Sequence, residues 1–433
     1  MGIRGLDHFA KALAQYGFAK NDDRQKAIKS LSFIPQGVKL DKSPLKVEFL
    51  KKKLSWIQRI MREQEIDLWI TFTREGNEDP VAQDLRFSDL TWRSAAIIDS
   101  DGTRTAVVGS LEVDTVKQGR FYDEVMGYAS EGVASKLSQI VRKRRPRKIA
   151  VNRSYDMGAA DGLTSGMQAY LKRILKSQSK RLVSGEDLAI TLRARLVQEE
   201  VELVKKAVVK CEKIYDEIES SIRQGKRDKY VHDVAHKLVS DESLSTAWAY
   251  DRCPSVNVAS NPMGHVGYHN TVIRNGDFVK LDFGVSYQGY CSDIQRVYFV
   301  GPGTIPISVK KMFETARAAN DAALEALKPG VIGYNVDAAG RKLIVKRGYP
   351  EYKHALGHVL GRSTHEIGPL LGPRWPERYG KQVEKPVQRD MVFTIEPSVT
   401  SKLGTCNLEE DVLVTANGYQ QLSKPQEDII RVG

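Results

Sequence analysis

The chain of 433 residues carries a formal charge of +12, with 41% hydrophobic and 28% charged residues. Its length predicts two or three domains, and the lack of an apolar run of membrane-spanning length predicts a soluble protein. The four cysteines form no CxxC pair and the N-terminus has no secretion-signal pattern, which excludes a disulfide framework and predicts a cytoplasmic protein.

The first part of the chain predicts a compact α/β domain. Residues 1–44 are polar and predict an N-terminal extension, after which a lysine-rich helix runs to Gln64. Strands are predicted at 67–72, 94–98 and 105–108. A basic run at 142–148 joins a predicted helix to a predicted strand, so we interpret it as a solvated connection and do not expect nucleic acid as a partner. We place this domain at 45–190.

The remainder predicts a second, larger domain over 191–433. It opens with an amphipathic helix at 198–223, in which Val201, Val204 and Val208 recur at helical spacing. Helices then alternate with two hairpin patterns of similar layout, which indicates two related halves.

The first hairpin brings two acidic residues together. A turn centred between Tyr287 and Gln288 would place Asp282 directly opposite Asp293. Residues in that relation have Cβ atoms about 4.5–5.5 Å apart, and two like charges there are destabilising. A bound cation would reverse the sign of this interaction.

The second hairpin repeats the arrangement. A turn centred between Lys402 and Leu403 would place Glu396 opposite Glu409. Burying four carboxylates in apolar strands is costly without a partner charge, so two such pairs point to a metal site.

Histidines cluster around these hairpins. Five of the eight histidines lie in two short segments, at His265, His269, His354, His358 and His365. His232 and His236 are spaced like a zinc pair on a helix, but the glutamate of an HExxH motif is absent, so we interpret this pair as structural.

At these residues the sequence resembles the pita-bread metallopeptidases, which include methionine aminopeptidase, aminopeptidase P, prolidase and creatinase. Five metal ligands occur in family order within matching motifs: Asp282, Asp293, His358, Glu396 and Glu409. Glu409 stands six residues before Thr415 and nine before Gly418, as in the family, and Glu410 is the alternative. His265 matches the first active-site histidine of the family, with His269 as the alternative.

The resemblance implies a mixed fold of helices and strands, α/β in the broad sense and α+β in detail. A pita-bread catalytic domain at 191–433 would follow a smaller creatinase-type domain at 45–190, as in prolidase, aminopeptidase P and creatinase. The resemblance also implies a homodimer.

The implied activity is metal-dependent hydrolysis of the peptide bond that precedes proline, by a hydroxide that two divalent ions activate. An oxygen-rich ligand set favours manganese, with cobalt and zinc as alternatives. Glu396 would carry the proton, and His265 and His365 would bind the substrate carbonyl and stabilise the oxyanion.

The substrate is a small peptide with proline at its second position, and dipeptidase and aminopeptidase activities both remain open. Prolidases often carry arginine two residues before the last ligand, where this chain has Asn407. In the loop after His365, Arg374 is our candidate for binding the substrate carboxylate, with Arg378 beside it. The alternative is that both are ordinary surface arginines.

Two other functions fit the same fold. One is a carbon–nitrogen hydrolase like creatinase or ectoine hydrolase, although metal-free creatinase chemistry would not require all five ligands. The other is a non-catalytic interaction module, which the basic charge favours and the intact ligand set opposes.

Overall fold

The computed structural model describes residues 44–258, 261 and 266–433. The extension predicted at 1–44 therefore lies outside the described residues, apart from Pro44. The helices of the described part are α1 (Val47–Glu63), α2 (Val113–Gln118), α3 (Val133–Arg144), α4 (Ser165–Leu175), α5 (Glu186–Arg193), α6 (Gln198–Ile218), α7 (Asp228–Asp241), α8 (Ile307–Ala326), α9 (Gly333–Lys346) and α10 (Pro376–Tyr379).

Nineteen strands accompany these helices in the described ranges. The first nine are β1 (Leu68–Thr73), β2 (Ser94–Asp99), β3 (Arg104–Gly109), β4 (Glu124–Tyr128), β5 (Ile149–Val151), β6 (Leu182–Ser184), β7 (Ser245–Thr246), β8 (Ser255–Val258) and β9 (Phe278–Phe283). The others are β10 (Val285–Tyr287), β11 (Tyr290–Cys291), β12 (Ile294–Val300), β13 (Val359–Leu360), β14 (Val392–Ile395), β15 (Ser398–Ser401), β16 (Gly404–Asn407), β17 (Glu410–Val414), β18 (Tyr419–Gln421) and β19 (Ile430–Val432).

The N-terminal part is a six-stranded mixed sheet in the order β4-β3-β2-β1-β5-β6. The pairs β1–β2 and β2–β3 are antiparallel, while β3–β4, β1–β5 and β5–β6 are parallel. All six residues of β1 are buried, as expected for a central strand covered on both faces. Helix α1 turns Leu50, Ile57 and Met61 into this core. The predicted α/β domain is confirmed.

The basic run at 142–148 is held by local ion pairs. Its first three residues, which we predicted as part of a connection, form the last turn of α3, where positive charge stabilises the helix dipole. Arg144 lies 3.3 Å from Asp99, and Arg147 lies 3.1 Å from Asp67. Part of the positive charge of this run is therefore matched by neighbouring carboxylates.

The C-terminal part builds the pita-bread fold from sheets in the orders β19-β12-β9-β8 and β13-β14-β17-β18, with smaller sheets beside them. Helix α6 carries the predicted apolar stripe, which packs with α7 and with β8, β9 and β12 in one core. Helices α8 and α9 pack together in the other core, which also contains residues of β14 and β17. One helix pair per hairpin is consistent with two related halves.

The first hairpin differs from its predicted register. Asp282 pairs with Gln295, not with Asp293, because the turn is a two-residue loop at Gln288 and Gly289. Both turn residues have positive φ, 48° and 78°, which is the type I′ geometry that matches strand twist. Asp293 is thus a diagonal neighbour of Asp282, at the roughly 7–8 Å spacing of such pairs. That spacing leaves room for an ion between the two carboxylates.

The second hairpin has the predicted register. Ile395 pairs with Glu410, and Ser398 pairs with Asn407. Both pairs share a centre between residues 402 and 403, so Glu396 lies opposite Glu409 where the strands are interrupted. This opposition of two glutamates is confirmed.

A buried ion pair joins the two parts of the chain. Lys53 of α1 has its Nζ 2.8 Å from Oε2 of Glu200 in α6, and both side chains are almost fully buried. The same Nζ donates to the carbonyl of Leu192, 2.7 Å away. Helix α5 spans the border predicted between 190 and 191, so the exact division remains a proposal. Across 44–258, 261 and 266–433, no helix combines the length and apolar character that crossing a membrane requires.

Candidate active site

The five predicted metal ligands converge on one cavity of about 230 Å³. Its walls are formed by Trp248, Ala249, Arg252, Ser255, Asp282, Asp293, Gln295, His358, Thr364, His365, Glu396 and Glu409. Residues more than 120 positions apart in the chain thus meet at the junction of the two hairpins. Of the three predicted catalytic residues, His365 and Glu396 also line this cavity, whereas His265 lies outside the described residues.

Most of these acidic side chains project from interruptions in the sheets. Asp282 lies within β9, whereas Asp293, Glu396 and Glu409 lie in short gaps between consecutive strands. His358 directly precedes β13. A gap frees side chains from the strict alternation of a strand, so residues of several strands can point at one centre.

The tautomer of His358 suits a metal ligand. Its Nδ1 lies 3.3 Å from the carbonyl oxygen of Val359, an acceptor that places the proton on Nδ1. The unprotonated Nε2 then faces the acidic residues, 3.7 Å from Asp293 Oδ2 and 3.6 Å from Glu396 Oε1. Potential ligand atoms of Asp293, His358 and Glu409 all lie within 4.8 Å of one another.

The adjacent glutamates at 409 and 410 point to different surroundings. Glu410 accepts hydrogen bonds from Ser423 Oγ at 2.7 Å and from the backbone N–H of Gln426 at 3.2 Å. Arg296 and Arg317 lie 3.5 and 3.7 Å from its Oε1. Glu410 therefore has its own cations, and only Glu409 lines the cavity.

The electrostatics of the cavity fit bound cations. Burial first, and then the neighbouring carboxylates, raise the pKa of Asp293 and of Glu409 well above the usual range. Burial raises the pKa of Asp282 to about 6, against the opposing effect of Lys280. Asp293 Oδ1 and both carboxylate oxygens of Glu409 are buried without a hydrogen-bond partner. Unpartnered anionic oxygens are what a divalent cation requires as ligands, so these residues fit the metal ions that the chemistry implies.

These pKa shifts predict how metal removal and pH act together. The folded protein without metal holds protons that the unfolded chain has lost above about pH 4. Its stability therefore falls as the pH rises from about 4, up to about 6 on account of Asp282 and further on account of Asp293 and Glu409. Metal binding replaces those protons. We therefore expect the difference in Tm between metal-loaded and chelated protein to be larger at about pH 8 than at about pH 5.5, by calorimetry. A difference that stays constant or shrinks with rising pH would contradict this charge assignment.

An ion network holds the segment that carries His365. Arg193 Nη2 donates to Glu366 Oε2 at 3.0 Å, and its Nε lies 2.8 Å from the other oxygen. Asp84, from the N-terminal domain, accepts a hydrogen bond from Arg362 and lies 3.7 Å from Arg193. All four charged side chains are at least 85% buried. The network thus brackets His365, whose ring centroid lies 4.1 Å from that of His358.

Arg374, our candidate for the substrate carboxylate, is not among the described residues that line the acidic cavity. Its guanidinium stacks 3.6 Å from the ring centroid of Tyr334 and lies 3.8 Å from Glu384, in a surface groove away from the acidic cavity. Pro373, the preceding residue of this loop, lines the same groove. His269, the alternative to His265, is also absent from the walls of the acidic cavity within the described chain.

Three residues near the ligands were missed from sequence. Trp248 and Arg252 line the cavity and belong to the segment before β8, which has no motif. Lys280 is 3% exposed and shares a strand face with Asp282. A lysine two residues from an acidic ligand in an apolar strand was a usable signal for Lys280, whereas Trp248 and Arg252 offered none.

Comparisons with known proteins agree with this geometry. The model of metallopeptidase family M24 matches residues 202–416. An Xaa-Pro dipeptidase of Pyrococcus horikoshii is 29% identical over 276 residues, covering 63% of this chain and 74% of that protein. The Xaa-Pro dipeptidase of Pyrococcus furiosus is 30% identical over 257 residues, covering 59% of this chain and 70% of that protein.

Solved structures show the same fold. An Xaa-Pro dipeptidase from Bacillus anthracis superposes with a TM-score of 0.67 at 23% identity, covering 88% of this chain and 99% of that one. The fold, the sequence match and the acidic cavity all indicate the same family. The chain therefore belongs to metallopeptidase family M24, in the prolidase and aminopeptidase P branch that carries an additional N-terminal domain.

Proposed function

We propose that this metallopeptidase hydrolyses Xaa-Pro dipeptides, with Asp282, Asp293, His358, Glu396 and Glu409 as ligands of two divalent metal ions. The observation that carries the proposal is the convergence of all five residues on one cavity with unpartnered carboxylate oxygens. The names of the Pyrococcus relatives support the proline specificity.

Each residue has a distinct task in this proposal. Two divalent ions, when bound, supply a nucleophile at neutral pH by lowering the pKa of a water molecule. Burial first, and then Asp282, raise the pKa of Glu396 well above the usual range, which suits a group that accepts and returns a proton. His365 at the cavity wall would stabilise the oxyanion, together with His265.

The remaining details rest on chemistry and on the family resemblance. Four carboxylates and one imidazole favour manganese, with cobalt or zinc as alternatives. Four free, buried cysteines suit the cytoplasm, where thiols stay reduced. A homodimer and domains at 45–190 and 191–433, after an extension at 1–44, complete the proposal.

The proposal is tested by assaying chelated protein with and without added manganese on a panel of Xaa-Pro dipeptides, Xaa-Pro tripeptides, Met-Xaa peptides and creatine. Manganese-dependent cleavage of the dipeptides alone supports a dipeptidase. Cleavage of the tripeptides as well indicates an aminopeptidase. No turnover of any Xaa-Pro peptide by metal-loaded protein overturns the proposal, and turnover of creatine instead would move the protein to the carbon–nitrogen hydrolases.

The ion network around His365 predicts a role for the N-terminal domain in turnover. Asp84→Asn would remove the carboxylate that accepts a hydrogen bond from Arg362 and lies beside Arg193, and would loosen the His365 segment. We expect kcat to fall about 10- to 100-fold, as for other groups that orient a site residue, with KM and bound metal unchanged in steady-state assays and metal analysis.

Asp89→Asn is the matched control for this prediction. Asp89 lies on the same loop, and its side chain accepts a hydrogen bond only from Ser88 among the described residues. Asp84→Glu keeps the charge and should recover part of kcat. An Asp84→Asn protein with normal kcat, or one that loses its metal, would show that the network does not position His365.

A further inference from the structure

We infer that Arg252 binds the free C-terminal carboxylate of the substrate, and this inference rests on the proposed function. A dipeptide carries that carboxylate on the residue just beyond the scissile bond. The Cα atoms of its two residues are only about 3.8 Å apart. Its binding partner must therefore stand on the wall of the same cavity as the metal ligands.

The charges of the cavity make such a partner necessary. Four carboxylates line the cavity, and a fifth from the substrate would be repelled by those that metal ions do not neutralise. Arg252 is the one arginine or lysine among the described residues of the cavity wall. A guanidinium can hold a carboxylate through two parallel hydrogen bonds, which fixes its orientation as well as its position.

Arg252 is also available for this task. Its side chain is 57% exposed, and its recorded ion pair within the described chain is a 3.8 Å contact of Nε with the exposed Asp251. That contact involves Nε alone, so no ion pair with another described residue engages the two terminal nitrogens. Lys280, the other nearby cation, is buried behind the ligands and is absent from the wall.

The backbone of Arg252 is held firmly enough to position its side chain. Its N–H donates to the carbonyl of Ala249 at 2.9 Å, and its own carbonyl accepts from Trp248 Nε1 at 3.1 Å. The second bond also orients the indole, which lines the cavity beside Arg252. An aromatic surface for the proline ring and a guanidinium for its carboxylate thus stand side by side.

The test compares a dipeptide with its amide. Ala-Pro and Ala-Pro-amide share the scissile bond and differ in the charge that Arg252 would bind. With metal-loaded enzyme we expect kcat/KM for Ala-Pro to fall about 10²-fold in Arg252→Gln, mainly through KM, which corresponds to the loss of a charge-assisted hydrogen-bond pair. The same variant should cleave the amide as well as the unaltered protein does, and Arg252→Lys should retain part of the preference for the acid.

Three outcomes distinguish the possible failures. Equal losses on acid and amide in Arg252→Gln, with normal metal content, overturn the assignment of Arg252 alone. Loss of acid preference in Arg374→Gln but not in Arg252→Gln would transfer the role to Arg374. If the unaltered metal-loaded protein cleaves neither compound nor any other Xaa-Pro peptide, the proposed function itself fails, and the inference fails with it.

Discussion

Replacing Glu409 by glutamine is expected to abolish both metal binding and hydrolysis. An amide has no negative charge and presents only one oxygen to a cation, whereas both Glu409 oxygens are buried without another partner. We expect kcat to fall by at least about 10³-fold, as when a central member of a catalytic group is removed. Metal analysis should show that the bound ions are lost.

Glu410→Gln is the matched control, one residue along the same strand. Glu410 pairs with Arg296 and Arg317, away from the cavity, so the change should lower the Tm but leave metal content and kcat near their normal values. The reverse result, an active Glu409→Gln protein and an inactive Glu410→Gln protein, would mean that the ligand assignment is displaced by one residue.

Lys53→Met is expected to give the largest loss of stability outside the active site. The change leaves Glu200 fully buried without its cation, although Val197 N–H and Tyr290 O–H still donate to it at 2.8 Å. Breaking a buried ion pair from one side typically costs about 3–5 kcal/mol. Because the pair joins α1 to α6, we expect a lower urea midpoint and faster proteolysis between the two domains.

The neighbouring pair provides the control for this prediction. Lys52 and Glu199 form an ion pair one residue away, but their side chains are 52% and 47% exposed. Solvent screens such pairs, so Lys52→Met should leave the urea midpoint unchanged. Lys53→Met combined with Glu200→Gln should recover part of the lost stability, because the uncompensated charge is removed. An unchanged midpoint in Lys53→Met alone would show that the pair does not stabilise the domain junction.

The sequence predicted the site best in the second hairpin, where the positions of the acidic residues also indicated which strand residues pair. The second hairpin was predicted correctly because its turn lies midway between Glu396 and Glu409, and the observed strand pairs share that centre. The first hairpin was predicted two residues out of register. Its Gln288-Gly289 turn adopts positive φ at both positions, and the predicted centre lay one residue earlier. Even so, Asp282 and Asp293 reach the same cavity.

Residues outside motifs could not be assigned from the sequence. Arg374 was chosen because it follows His365 in the chain, but its loop leads to a different groove. Arg252 lies 30 residues before the first ligand, Asp282, and comes to the wall only because its segment folds back beside β9. Proximity in space between distant segments depends on packing, which local pattern does not encode.

The sequence by itself determined the α/β class, the five candidate ligands and the family, because strand periodicity and ligand chemistry are local properties that survive in short motifs. Tertiary structure alone decided three further points: that these ligands share one cavity, that Arg252 and not Arg374 stands on its wall, and that Asp84 and Lys53 tie the N-terminal domain to the catalytic domain. Each of these points depends on contacts between segments far apart in the chain. The stabilisation that comes from pairing buried charges exists only once the whole fold has assembled.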